Sequence, residues 1–266
     1  MTCQPEFFEQ AKALVERPSG IEFAKFPLKF AIPAYFGAPP EPGRPLTVNN
    51  GSASLLRLGG QMIALTCSHV LDGYRQRLAE GKCIFQLGNC ALDPFAQLKV
   101  EDAKLDYALI SVTEEQAKQI VKPDGPFDGT FFNEPAQWPP GEVKVDEFVA
   151  FGGFPGKLRQ AMSFDELSFG SFSSGAARIT SANETYLVCQ FEREFWVKHG
   201  HEPIPECIGG MSGGPVFALR HGKDVDILTY EFVGHIYEFS EDYELLYIRL
   251  AGHCNYESQV RAGGLP

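Results

Sequence analysis

From residue 27 to residue 250 the chain reads as short apolar segments, each closed by a turn within a few residues, and this texture constrains the fold most. Ser54 to Leu58 is an apolar run, Gly59-Gly60 a two-residue turn, and Met62 to Cys67 a second apolar run, which together predict a β-hairpin. Leu28 to Phe36, Cys83 to Leu87 and Tyr107 to Val112 predict further strands, and Thr113 with Glu115 and Gln116 predicts a short helix over 113–122. After a stretch rich in Pro, Gly and Asp over 123–143, strands resume. They are predicted at Glu147 to Gly152, Leu167 to Phe172, Ala177 to Thr180, Tyr186 to Phe191, Val216 to Leu219, Ile227 to His235 and Leu245 to Leu250. Many short strands with few helices point to an all-β sandwich or barrels. The breaks divide the chain into an extension over 1–26, a strand-rich half over 27–130 and a second over 143–255. Within the extension, Phe7, Phe8, Ala11, Leu14 and Val15 recur near the helical period, which predicts a helix over 5–17 that packs on the body or docks elsewhere.

Charge and composition exclude several functions. The formal net charge is −11 and no basic stripe is present, so nucleic acid is not an expected partner. No apolar stretch approaches the roughly 18 residues a membrane helix needs, and charged residues interrupt the start of the chain throughout. The expectation is a cytoplasmic protein without a membrane partner. The 7 cysteines form no dense framework and no Cys-x-x-Cys pair, so reduced buried thiols are expected. Cys83 and Cys90 would cross-link a hairpin only in an oxidising compartment. His199 and His201 lack a third ligand nearby, so no metal and no cofactor are expected.

Three residues carry chemistry. Ser212 lies in Gly209-Gly210-Met211-Ser212-Gly213-Gly214-Pro215, where glycines permit a sharp turn and bring backbone amides close to a ligand. A serine hydroxyl is a weak nucleophile until a base takes its proton. His69 follows the apolar run Ile63-Ala64-Leu65-Thr66-Cys67-Ser68, and Asp106 stands at the mouth of Tyr107-Ala108-Leu109-Ile110. Each alone is ordinary: a turn serine, a packed histidine, a surface aspartate.

Taken together, in the order His, Asp, Ser, these segments resemble the trypsin-like (chymotrypsin-fold) serine peptidases. Thr66 and the small residues before His69 resemble that family's histidine motif, Leu105-Asp106-Tyr107-Ala108-Leu109 its aspartate motif, and Gly210-Met211-Ser212-Gly213-Gly214-Pro215 its serine motif. Phe151-Gly152-Gly153-Phe154-Pro155-Gly156 is similar to the turn that opens the second barrel in bacterial members. The resemblance spans roughly residues 28–250 and implies two packed six-stranded antiparallel β-barrels with the site between them. It implies Ser212 as nucleophile, His69 as general base, Asp106 as the group orienting it, and the amides of Gly210 and Ser212 as an oxyanion hole. The partner so implied is a protein or peptide substrate, with a regulatory protein partner as a further expectation.

Two departures stand out. Met211 occupies the place where secreted members carry an aspartate that pairs with a freshly cut N-terminus, and Val70 replaces the cysteine after the histidine. The resemblance also makes Tyr237 and Phe239 pocket-lining residues. Glu206, six residues before Ser212, is either the acidic floor of a pocket for a cationic side chain or an exposed loop glutamate. Too little chain follows residue 254 for a C-terminal peptide-binding domain. Two other readings remain: the α/β-hydrolase elbow, since Gly210-Met211-Ser212-Gly213-Gly214 fits Gly-x-Ser-x-Gly, and a protein-binding module on a latent protease fold.

Overall fold

A computed structural model describes residues 18–44, 46–121, 129–133, 139–190, 197–200, 207–221, 228–254 and 256. The helix expected over 5–17, the pocket candidate Glu206 and His201 lie outside them. The chain enters through helix α1 (Pro18–Lys25) and a 3-10 turn over Phe26–Phe30. The first half follows as β1 (Ala31–Gly37), β2 (Val48–Leu58), β3 (Gln61–Thr66), helix α2 (Ser68–Glu80), β4 (Ile84–Leu87), β5 (Cys90–Leu92), β6 (Leu98–Asp102), β7 (Tyr107–Ser111) and helix α3 (Glu114–Ile120). The second half holds β8 (Phe148–Gly153), β9 (Arg159–Ala161), β10 (Leu167–Phe169), β11 (Phe172–Ala182), β12 (Tyr186–Gln190), β13 (Val197–Gly200), β14 (Pro215–His221), β15 (Leu228–Ser240), β16 (Leu245–Leu250) and a last turn of helix, α4 (Ala251–Cys254).

The strands of the second half run in the order β12-β16-β15-β14-β8-β11, and β11 pairs back onto β12, which closes a six-stranded antiparallel barrel. Closure leaves no edge among these six strands, although β13 adds to the outside of β11. The first half is a curled seven-stranded sheet in the order β5-β4-β1-β2-β3-β7-β6. Its edge strands β5 and β6 have no pairing with each other among the described residues. The all-antiparallel sheets exclude the α/β-hydrolase reading, which needs parallel strands joined by helices. The fold is the chymotrypsin-like arrangement expected from the resemblance, with one closed six-stranded barrel and a curled seven-stranded half-barrel in place of the other.

Side-chain alternation explains how the halves meet. On β2, Ala53 and Leu55 point into the first core, whereas Leu56 and Leu58 point toward the other half. On β7, Ala108 and Ile110 face inward, and Tyr107 and Leu109 face across. The second barrel answers in kind: Val216 and Ala218 of β14 fill its interior, while Phe217 turns outward to join them. Both faces of these strands are therefore buried, which is why they read in sequence as continuous apolar runs rather than strict alternations. Phe217 is ringed by Phe26, Phe30, Phe132 and Phe232 at centroid distances of 5.3, 5.5, 5.1 and 5.7 Å.

Three expectations shift in detail. Phe26–Phe30 is a 3-10 turn, because Pro27 at its start presets a helical φ, so β1 begins at Ala31 rather than Leu28. The stretch over 123–143 is not wholly a free connection: the Phe132 N–H donates to Leu55 O, and the Arg57 N–H donates to Phe132 O. The helix over Ser68–Glu80 is not foreseen in the sequence at all.

Candidate active site

His69 is placed by the start of α2. Strand β3 ends at Thr66, Cys67 holds an extended conformation, and the helix begins at Ser68, which puts His69 in the first turn. Cys67 supplies no side-chain cap. Asp106 does so from another hairpin: its Oδ1 accepts the His69 backbone N–H at 3.0 Å, while Oδ2 accepts from the His69 ring Nδ1 at 2.7 Å. One carboxylate thus satisfies an orphan amide at the positive end of a helix and fixes the imidazole with Nε2 unbonded to it. Burial of the Asp106 carboxyl favours its neutral form, but the hydrogen bonds from the His69 ring and backbone outweigh that and hold it below the ordinary carboxylate range. The first turn is further held by Ser68, whose Oγ donates to Glu101 Oε1 at 2.8 Å, and Glu101 in turn accepts from Arg75 Nη1 at 2.8 Å.

Asp106 sits in the left-handed region at φ 55, at the end of a turn pinned by Asp102, whose Oδ1 accepts the Lys104 and Leu105 amides. Aspartate tolerates this conformation better than most residues, but it needs support. Support comes from His235 on β15. This ring is fully buried, its Nε2 donates to the Asp106 carbonyl at 3.3 Å, and its Nδ1 accepts the Tyr256 hydroxyl proton at 2.7 Å. Burial pushes the His235 pKa down to about 4, so the ring is neutral, with one nitrogen donating and the other accepting. The tautomer follows from its two partners. Neither His235 nor Tyr256 stands out in sequence as part of the site; the signal available was a lone histidine within the otherwise apolar strand Phe232 to Ile236.

Ser212 lies in a turn tied to both halves. Its carbonyl accepts the Ser52 N–H at 2.8 Å, and Ser54 Oγ donates to Gly213 O at 2.7 Å, both from β2. Ser52 Oγ donates to Gly210 O at 2.9 Å and accepts the Phe154 N–H, so one hydroxyl bridges the nucleophile turn and the loop after β8. Gly210 and Gly213 adopt φ values of 99 and 92, which L side chains rarely take. At Gly213 an added Cβ would lie 2.1 Å from Ser52 O. Met211 is buried in the second barrel core, where it acts as an apolar anchor for the turn.

The amides of this turn divide into two sets. Met211 N–H donates to Ile208 O, Gly213 N–H to Ile236 O and Gly214 N–H to Met211 O. The Gly210 and Ser212 amides have no partner among the described residues, and both residues line the cleft. Because the Gly209 carbonyl accepts from the Gly156 N–H at 2.7 Å, the trans peptide 209–210 aims the Gly210 N–H the opposite way. Both residues are partly exposed, so these two alternate amides face the cleft and are free to receive an anionic oxygen.

The cleft has a volume of about 650 Å³ and is lined by His69, Asp106, Gly210, Ser212, Tyr237 and Phe239, among others. The structure therefore brings His69, Asp106, Gly210, Ser212, Tyr237 and Phe239 into one cleft, while Cys83 and Cys90 lie outside it and His199 falls on β13. Among the described residues no hydrogen bond joins Ser212 Oγ to His69. Among the described residues one group of side chains has metal-ligand spacing, Cys67, His69 and Asp106, with ligating atoms within 4.8 Å of each other. It suits a metal poorly: burial raises the Cys67 thiol well above its usual range, and its Sγ donates to Ile236 O at 3.4 Å, while His69 and Asp106 already bond to each other. The 6 described cysteines are free, including Cys83 and Cys90.

No protein-family model matches the sequence, and no curated protein sequence matches it. Among solved structures, the chain is similar to the active form of the Rv3671c protease of M. tuberculosis, at 15% identity and a TM-score of 0.44, over 96% of this chain and 87% of that one. It is also similar to AL20, a thermostable serine protease from an extremophilic microorganism, at 13% identity and a TM-score of 0.48, over 90% of this chain and 98% of that one. Strand order and barrel closure define what the chain itself has, a chymotrypsin-like fold. No described helix is long and apolar enough to cross a membrane.

Proposed function

We propose that the protein is a serine endopeptidase acting through an acyl-enzyme on Ser212, with a protein or peptide as substrate. In this reading His69 Nε2 takes the Ser212 hydroxyl proton as Oγ attacks the scissile carbonyl, and the carbonyl oxygen becomes an oxyanion. The open amides of Gly210 and Ser212 receive it. The imidazolium is stabilised by Asp106 and then protonates the leaving amine; water repeats the sequence to release the acid. The observation that carries the reading is the pattern of amides at 210–214, engaged at three positions and open at the two that line the cleft beside the His69–Asp106 pair.

A fluorophosphonate probe tests this directly. Labelling should map to Ser212, vanish in Ser212→Ala and fall steeply in His69→Ala. A folded wild type that never labels refutes the proposal. It would favour the second reading, a latent site on a protease fold, which the missing Ser212–His69 hydrogen bond supports; labelling that appears only with a protein partner would point to regulation by that partner.

A further inference from the structure

We infer that the cleft selects peptides with an acidic side chain close to the scissile bond, and that Arg249 is the residue that reads it. This rests on the reading of Ser212 as the nucleophile of a peptidase.

Arg249 belongs to β16, locked between Tyr186 of β12 on one side and His235 of β15 on the other. It is 8% exposed, and it lines the same cleft as Ser212 and His69. Its guanidinium carbon lies 4.2 Å from the centroid of the Tyr237 ring. Its Nε is buried without a hydrogen-bond partner, and among the described residues its side chain has neither an ion pair nor a hydrogen bond. The other described arginines bond a partner, except Arg57, which lies over the Phe131 ring but is exposed to water. Arg75 pairs with Glu101, Arg178 with Asp146 and Arg220 with Glu231, and Arg159 donates to Asn50.

A guanidinium presents five donors in a planar fork and is seldom buried unpaired, because the loss of hydration goes uncompensated. The Tyr237 face offsets part of that loss but accepts none of the hydrogen bonds. What fits the remaining fork is a planar carboxylate, which accepts two parallel N–H bonds. Glu238 and Glu241 also line the cleft, but both are exposed, and neither bonds Arg249 among the described residues. A charge at a watery rim acts about fourfold more weakly than one at protein dielectric, so the buried cation governs a side chain that reaches inside. This selectivity is the opposite of the one expected if Glu206 formed the pocket floor.

The test uses the full chain in two arms. In the first, the Ser212→Ala variant, which cannot turn over, is panned against a peptide library randomised at each position. Enrichment of Asp or Glu at one position, lost when Arg249→Gln is added, is expected. In the second, wild type and Arg249→Gln are compared on a cleaved peptide bearing Glu at that position and on its Gln counterpart. The variant should lose at least about tenfold more kcat/KM on the Glu peptide than on the Gln peptide. Arg249→Lys, which keeps the charge without the fork, should fall between them. Enrichment of Lys, Arg or only neutral residues by the wild-type cleft, or equal losses on both peptides, overturns the inference. Failure of the probe to label Ser212 overturns the peptidase reading instead, and leaves the binding arm to decide the role of Arg249.

Discussion

Acidification from about pH 8 to about pH 5 should cost the protein about 2 kcal/mol of stability through His235 alone. The ring is fully buried and held neutral, and its pKa falls from the ordinary 6.5 to about 4. The sign follows from proton counting. Between those values the unfolded chain binds a proton that the folded chain refuses, so the stabilisation is complete above pH 6.5 and is lost as the pH falls toward 4. Each pH unit in that window is worth about 1.4 kcal/mol, so the loss is about 2 kcal/mol near pH 5 and approaches about 3 kcal/mol near pH 4. The Asp106 and Glu101 carboxyls are both held below the ordinary carboxylate range, so their contributions are lost at lower pH and leave the upper window to His235. The assay is urea denaturation of wild type and His235→Gln at both pH values. Glutamine can donate to the Asp106 carbonyl and accept from Tyr256, but it does not titrate. The wild type should lose about 2 kcal/mol more than the variant between the two conditions. Equal losses would show that His235 is charged in the folded protein, or that Asp106 is not supported through a neutral ring.

Other expectations follow from the geometry. Asp106→Asn should leave the fold intact, since asparagine also accepts a left-handed φ, but should lower kcat by about 10³–10⁴-fold in a peptide-cleavage assay because the imidazole loses its carboxylate. Gly213→Ala should destabilise by more than about 2 kcal/mol in thermal unfolding, because its Cβ has no space against Ser52 O at a φ of 92. Phe217→Ala should cost about 3–5 kcal/mol in denaturant titration, since it empties the centre of the ring cluster between the two halves. Glu101→Gln should cost about 1 kcal/mol, since it weakens the Arg75 pair and the support under Ser68.

Local patterns made much of the fold readable. The β2–β3 hairpin follows from Gly59-Gly60 between two apolar runs, and α3 from Thr113, whose hydroxyl accepts the Gln116 N–H in a capping box. Helix α2 escaped because its cap is not local. The group that satisfies its first turn is Asp106, 37 residues downstream, and Gly73 interrupts the helical pattern. The candidate site was legible where glycines and order along the chain mark it, at His69, Asp106 and Ser212, which the structure brings to one cleft. It was silent where a residue acts through burial. His235 and Arg249 lie in strands that read as apolar, and only the partners folded around them show that one is fully engaged and the other is not. The extension's expected helix and Glu206 fall outside the described residues.

The bonds from Ser52 and Ser54 to the carbonyls of Ser212 and Gly213 have a temporal consequence. A second barrel formed before the first sheet docks would hold its serine in a turn with two fewer anchors and no imidazole nearby. Reactivity at Ser212 would therefore arrive last in refolding, after the strands have formed. If Ser212 is the nucleophile proposed above, a nascent or half-built chain would lack it in competent form, and its unfolded copies would be spared.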